Sequence, residues 1–252
     1  MSSPNPELLA EEMGSHADQP EPQPHHSLHG PEELTFYLEQ TLRNMRPDTK
    51  AWANDTLTYI HNHLLPSVDL TDPSRLRNLL REYMAVFDSL LFSGSLISKA
   101  VGHRVTLTIR PLDRNRLGQT TSNMKGGLLD TEIAISPILC SRTVSDSRRQ
   151  QLITKYLSTL VHEMLHAYFN IFCDSWGMSN VKYLGATGHG ACWQRAAHEI
   201  EDFLRQELGV DLCLEIVNSW FHELAHFKPE IIPQFQQICS GEITWELERM
   251  FG

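Results

Sequence analysis

Hydrophobic positions in the first third of the chain recur with the spacing of α-helices. The first helix is predicted to begin at Pro31, because apolar residues follow it at helical intervals: Leu34, Leu38, Leu42 and Met45. A second helix is predicted over residues 49–65, and a third is predicted to begin with Asp72 as its N-cap and Pro73 in its first turn. The third helix carries a broad apolar face, made of Leu76, Leu79, Leu80, Tyr83, Val86, Phe87, Leu90 and Leu91.

The hydrophobic period then changes to two. Apolar and polar residues alternate over residues 103–110, which predicts a half-buried strand. Two shorter strands are predicted at residues 117–122 and 132–136, the second of them closed by Pro137.

Helical spacing returns over residues 150–172 and 191–208, and the second of these helices is predicted to end at Gly209. Helices on both sides of a small group of strands predict an α+β fold. Four segments follow from this pattern: a disordered Pro/His-rich tail (1–30), N-terminal helices (31–70), a central domain (71–208) and a C-terminal helical extension (209–252).

Composition narrows the class of protein. No apolar run among the 252 residues reaches the roughly 20 residues of a membrane helix. The first thirty residues lack the basic start and the apolar stretch of a secretory signal. The five cysteines form no C-x-x-C pair, which argues against a disulfide framework or a zinc ribbon. We therefore expect an intracellular protein without a membrane partner.

The formal net charge of -10 is unevenly distributed. Residues 72–200 carry 15 Lys and Arg against 10 Asp and Glu, whereas the rest of the chain carries 6 against 21. A basic middle is compatible with contact to an anionic polymer such as DNA, and equally with an ordinary solvated surface.

The segment from His162 to His166, which reads H-E-M-L-H, carries the candidate chemistry. Residues four apart lie on the same face of a helix, so both imidazoles can reach one metal ion. Glu163 lies beside them, where a carboxylate can take a proton from a water molecule. Zinc suits such a site, because it accepts imidazole nitrogen without a rigid geometric demand and lowers the pKa of its bound water.

A catalytic zinc ion has three protein ligands and one open position. His189 is the best third ligand, since the glycines on either side of it let the backbone turn sharply. Glu199 and His198, on the next predicted helix, are competitors for that place.

A second H-E-x-x-H copy spans residues 222–226. It follows an aromatic pair, is soon ended by Pro229 and has no histidine downstream. We therefore expect it to be an exposed helical or loop segment, with its histidines and Glu223 at the surface.

Several of these segments resemble motifs of the SprT-like zinc metalloproteases, the family of the DNA–protein crosslink protease Spartan. Residues 162–167 and 188–193 resemble the family's H-E-M-x-H-A and G-H-G-x-x-[F/W] motifs. Three upstream segments also match in order: the F-D-x-x-x-F-x-G-x-L helix end (87–96), a short central strand (118–122) and an E-I-x-I-S strand (132–136). The similarity covers roughly residues 72–205, about half of the chain.

The resemblance implies a zincin-like metalloprotease domain over residues 71–208. It implies that His162, His166 and His189 bind Zn²⁺ and that Glu163 is the general base of a zinc metalloendopeptidase, with no small-molecule cofactor. Tyr168, Tyr183 and His198 are candidates for stabilising the oxyanion. The implied substrate is protein bound or crosslinked to DNA, and the implied role is DNA repair in the nucleus or the cytoplasm.

The chain also departs from the family. The 22 residues between His166 and His189 are more than compact members have, so residues 173–186 are predicted to be an inserted loop near the cleft. No zinc ribbon follows the domain. If they share one face, four arginines of the basic middle are candidates for DNA contact: Arg114, Arg116, Arg148 and Arg149. The alternative is that they pair with local acids such as Asp113 and Asp146. The alternative function is a non-enzymatic zinc-containing scaffold that binds protein or nucleic acid, against which the intact Glu163 argues.

Overall fold

The computed structural model describes residues 29–98, 103–113, 116–138, 145–173 and 181–226. The predicted tail up to residue 28, half of the predicted inserted loop (174–180), Arg114 and the predicted extension beyond residue 226 lie outside these ranges.

The described residues form an α+β fold, in agreement with the prediction. The helices are α1 (Pro31–Arg43), α2 (Pro47–Tyr59), α3 (Pro73–Leu91), α4 (Asp146–Phe172), α5 (Val181–Leu184), α6 (Ala191–Leu208) and α7 (Ile216–His226). The strands are β1 (His103–Ile109), β2 (Gly118–Lys125) and β3 (Leu128–Ile135).

The N-terminal helices begin at prolines, which fit the first helical turn because they lack the N–H that would be unpaired there. The apolar residues predicted for α1 are buried from Leu34 to Leu42, and α1 packs on α6. The second helix begins at Pro47 and continues after Tyr59 as a π-helical turn over Ile60–Leu64.

Helix α3 confirms its predicted cap. The carboxylate of Asp72 accepts hydrogen bonds from the backbone N–H groups of Ser74 and Arg75, at 2.8 and 3.2 Å. At the other end of α3, the buried carboxylate of Asp88 accepts the N–H groups of Leu96 and Ile97, at 2.9 and 3.0 Å. Asp88 therefore fixes the turn that leads from α3 toward the sheet.

The sheet has the order β1–β3–β2. Strand β1 runs parallel to β3, with Leu107 beside Ile133, and β2 runs antiparallel to β3, with Thr120 beside Ile133. One face of the central strand β3 is buried against α4, so the sheet holds β2 beside the helix that carries the first H-E-x-x-H copy.

Helix α4 begins at Asp146, after the N-cap Ser145, and its apolar residues form the middle of the core. Helix α6 ends where predicted, because Gly209 adopts the left-handed conformation (φ 64°) that terminates helices. A single hydrophobic cluster extends from Leu34 of α1 to Ile216 of α7, so the segments before and after the central domain pack on the same core.

Among the described residues, the helices are all too short or too polar to cross a lipid bilayer.

Candidate metal centre

Three histidine side chains meet at one point. His162 and His166 lie one turn apart on α4, and His189 reaches them from the loop before α6. Their Nε2 atoms are separated by 3.2 Å (His162 to His166), 3.0 Å (His166 to His189) and 3.1 Å (His162 to His189). The three histidines are therefore close enough to hold a metal ion.

In His162 and His189, the hydrogen bond of Nδ1 orients the ring so that Nε2 faces the point where the three side chains meet. Nδ1 of His162 lies 2.8 Å from the carbonyl oxygen of Leu214, which can only accept. Nδ1 of His189 lies 3.0 Å from Oγ1 of Thr187, whose own proton goes to Glu223. Both Nδ1 atoms are thus donors, and each Nε2 presents a lone pair to the other histidines.

Lone pairs that face each other at about 3 Å repel unless a cation lies between them. Nitrogens bound to one tetrahedral zinc ion at about 2.0–2.1 Å are separated by roughly 3.3–3.4 Å, close to the distances observed here. The donor set, all imidazole nitrogen, also suits zinc. The three residues fit a bound divalent ion.

Trp193 forms the floor of the centre. Its side chain is 0% exposed, and its ring centroid lies 4.7 Å from those of His162 and His189 and 5.4 Å from that of His166. The indole and the histidine rings exclude water from one side, so a ligand must approach from the other.

Burial keeps the imidazoles neutral. It lowers the pKa of His162, and together with the charges of the neighbouring histidines it lowers the pKa of His166 well below its ordinary value. Burial, with the charges of His162 and His222, lowers the pKa of His189 to about 3. Neutral imidazole is the form that binds metal.

Glu163 is buried beside the histidines, with 5% of its surface exposed. Burial raises the pKa of its carboxyl group to about 7, against the opposite effects of the Thr120 hydroxyl and the Arg116 charge. Oγ1 of Thr120 lies 2.7 Å from Oε2 of Glu163. Gly118 gives the carboxylate its space, because a Cβ atom there would lie 2.5 Å from Oε1 of Glu163.

A cleft of about 820 Å³ leads to His162 and Glu163. Its floor is one face of α4, and its walls are the start of β2 and the segment 211–215. Most residues that line it have polar side chains, and charged residues of both signs are among them: Arg116, Lys155, Asp211 and Glu215.

The competitors for the third ligand lie elsewhere. Glu199 is 3.6 Å from Arg43, and His198 is 3.6 Å from Asp202. The hydroxyl of Tyr168 lies 3.4 Å from the carbonyl oxygen of Leu34, on the side of α4 that faces α1. Among the three candidates for the third ligand, His189, Glu199 and His198, it is therefore His189 that joins His162 and His166 on α4.

The arginines predicted to contact DNA differ in their surroundings. Arg116 is exposed at the cleft, and Arg148 is exposed near the start of α4, where it donates to Gln151. Arg149 is half-buried, and its Nη1 donates to the carbonyl oxygens of Leu65 and Val68, at 3.2 and 2.7 Å. Arg149 therefore binds the turn after α2, whereas Arg116 and Arg148 face solvent.

The prediction for the second H-E-x-x-H copy is wrong for its acidic residue. His222 is exposed, as expected, but Glu223 is 0% exposed. Ile216 and Trp220 lie on the same face of α7 as Glu223 and are also buried. This spacing of four and then three residues was a sequence signal that α7 packs inward at Glu223.

Comparison of the chain with models of protein families, with curated proteins and with solved structures found no match.

Proposed function

We propose that this protein is a zinc-dependent metallopeptidase of the SprT-like type, with a zincin-like active site on α4. The observation that carries the proposal is the convergence of the Nε2 atoms of His162, His166 and His189 within 3.2 Å, next to the buried Glu163. A purely structural zinc site closes all four positions with protein ligands, whereas the described residues bring three to this one.

A zinc ion bound by the three histidines would polarise the scissile carbonyl group and acidify a water molecule. Glu163 takes a proton from the attacking water and later gives it to the leaving amine. Burial raises the pKa of this carboxyl group in the metal-free protein, and a bound zinc ion would lower it again, so the carboxylate would be available to accept a proton near neutral pH.

The cleft suits an extended peptide. Residues along one face of α4 line it at intervals of three and four, from Gln151 through Lys155 and Thr159 to His162 and Glu163. Polar side chains along such a groove can hydrogen-bond to the backbone of a substrate whatever its sequence. A peptide that lies along α4 in this cleft would therefore reach His162 and Glu163.

DNA-bound protein is the substrate class that we favour, on the resemblance to the SprT-like family and on the exposed Arg116 at the cleft. Asp211 and Glu215 on the opposite wall limit how far nucleic acid itself can enter. We therefore propose that DNA would bind outside the cleft and present the attached protein to it.

The test is incubation of the purified protein with zinc and a DNA-bound protein, with and without the DNA, beside Glu163→Gln. We expect cleavage by the wild type and a loss of at least about 10²–10⁴ in rate in the variant, which is the usual contribution of a general base. Zinc content without cleavage of any protein would favour the scaffold function instead. A Glu163→Gln variant with wild-type turnover would exclude the mechanism.

A further inference from the structure

The buried carboxylate of the second H-E-x-x-H copy contacts the loop that carries His189. Glu223 lies on α7, 34 residues after His189, and its side chain enters the loop over residues 185–189. The mechanism proposed above gives this residue no part.

The loop directs four donors at the two carboxylate oxygens. Oε1 accepts the N–H of Ala186, and Oε2 accepts the hydroxyl of Thr187. The N–H of Thr187 lies 3.0 Å from Oε2, and the N–H of His189 lies 3.3 Å from the same oxygen. A carboxylate is the side chain that can only accept at both ends, so it satisfies this set of donors better than an amide or a hydroxyl.

The loop is also shaped around this side chain. Gly185 has a left-handed backbone (φ 80°), and a Cβ atom at that position would overlap the Glu223 carboxylate. The carbonyl oxygen of His189 is held independently, by the side-chain amide of Gln194 at 3.1 Å.

The contacts of Glu223 extend to the imidazole of His189. The Thr187 hydroxyl donates to Oε2 of Glu223 and lies 3.0 Å from Nδ1 of His189. The hydroxyl therefore accepts the Nδ1 proton, which leaves Nε2 free to face the other two histidines. Carboxylates that hold a ligand histidine through such a hydrogen bond fix its ring and raise metal affinity.

We propose that Glu223 is a positioning residue for the metal centre: through Thr187 and the 185–189 backbone it holds His189 in the orientation that binds metal. The inference rests on the proposed metal site. Glu223, in the second H-E-x-x-H copy, thereby supports the metal site of the first copy, because both of its carboxylate oxygens accept hydrogen bonds from the loop that carries His189.

The experiment measures zinc affinity by competition with a chromophoric chelator, for the full chain freed of metal and titrated with Zn²⁺. We expect Glu223→Gln to raise the zinc dissociation constant about 10–100-fold, the usual effect of losing such a partner. Glu39→Gln is the matched control: Glu39 is also a buried carboxylate, but its oxygens contact Arg195, on the α1–α6 side of the core. That variant should bind zinc within about a factor of two of the wild type, since Glu39 contacts Arg195 and Arg43, whereas Glu223 contacts the loop that carries His189.

Two further variants separate positioning of His189 from a general loss of stability. Thr187→Val removes the link to Nδ1 with little change in volume, and it should weaken zinc binding less than additively with Glu223→Gln, because both act through one network. In a His189→Ala background, Glu223→Gln should change the residual zinc affinity no further.

The results distinguish this inference from the proposed function. A wild type that binds no zinc overturns both. Strongly weakened zinc binding in His189→Ala, with unchanged affinity in Glu223→Gln and Thr187→Val, overturns the role of Glu223 and leaves the metal site standing. If Glu223→Gln lowers zinc affinity by the same factor in the presence and in the absence of the His189 ring, the role of Glu223 is also overturned.

Discussion

The hydroxyl of Thr120 lies 2.7 Å from Oε2 of Glu163 and 2.9 Å from the carbonyl oxygen of the same residue. Strand β2 thus contacts the proposed base directly, at its side chain and at its backbone. The position of the carboxylate depends on how closely β2 approaches α4, and Gly118 sets that approach.

We expect Gly118→Ala to lose most of the hydrolytic activity while it keeps zinc. The new Cβ atom would lie 2.5 Å from Oε1 of Glu163 and 2.6 Å from Cγ2 of Thr159, so Glu163 or the strand must move. A misplacement of about 1 Å in an active site can cost on the order of 100-fold in rate. The measurement is turnover of a protein substrate together with zinc content by elemental analysis.

Gly30→Ala is the control for this change, because a Cβ atom at residue 30 meets nothing within 4 Å. It should retain both turnover and zinc. If Gly118→Ala cleaved at the wild-type rate, the contact between β2 and Glu163 would have no part in catalysis.

Zinc content separates the two H-E-x-x-H copies. His166→Ala should lose zinc during purification, because two nitrogens bind the ion much more weakly than three, whereas His222→Ala should retain it, because the exposed His222 ring lies outside the group of three. Elemental analysis of both purified variants measures this. Retention of zinc in the first and loss in the second would show that the metal belongs to the second copy.

The part of the centre that could be predicted from the sequence is local. The spacing of His162 and His166 follows from the helical repeat, and the glycines beside His189 indicate a tight loop. Helices α1, α3 and α6 were predicted for the same reason: capping residues and apolar periodicity act within a few residues of each other.

The supports of the centre depend on contacts between distant segments, which periodicity does not show. The carbonyl of Leu214 meets His162 across 52 residues, and the Thr120 hydroxyl meets Glu163 across 43. Glu223 was placed at the surface because its segment is soon ended by Pro229 and has no histidine downstream. Its partners are the hydroxyl of Thr187 and three backbone N–H groups of the same loop, and backbone N–H groups carry no sequence signature.

We expect Asp88 to make the protein less stable as the pH rises from about 4 to about 7. Burial raises the pKa of Asp88 to about 6, against the opposite effects of the Leu96 and Ile97 N–H groups and of His103. The folded protein then binds this proton more tightly than the unfolded chain. The contribution of the protonated Asp88 to the free energy of unfolding is therefore complete below the pKa of the unfolded chain, near 4, and is lost as the pH rises through about 6. A shift of this size corresponds to about 3 kcal/mol.

Urea unfolding of the wild type and of Asp88→Asn at pH 4 and pH 7, with a chelator present, measures this contribution. The wild type should lose about 2.4 kcal/mol of unfolding free energy relative to the variant over this interval, since the unfolded carboxyl group is already partly ionised at pH 4. Parallel pH profiles of the two proteins would show that Asp88 ionises in the fold at no cost.

Two exposed arginines are the candidates for contact with DNA. Arg116 and Arg148 are exposed, whereas the neighbouring Arg149 is engaged with the carbonyl groups of Leu65 and Val68. If the exposed pair contacts phosphates, Arg116→Ala with Arg148→Ala should weaken DNA binding. Each lost contact should also reduce the slope of log affinity against log salt by about 1.

Arg149→Ala is the control that the structure supplies for this pair. It removes an equal charge one residue from Arg148, and it should lower the melting temperature with little effect on the salt slope, because its guanidinium is held by the protein. Affinity for a short duplex, measured over a salt series, gives the salt slope, and thermal unfolding gives the melting temperature. A double variant that binds with the wild-type slope would place any DNA contact elsewhere. If Arg149→Ala reduced the slope as much as Arg148→Ala, net charge rather than a defined arginine surface would govern binding. The metallopeptidase proposal would survive either result, because it depends on the histidines and Glu163 alone.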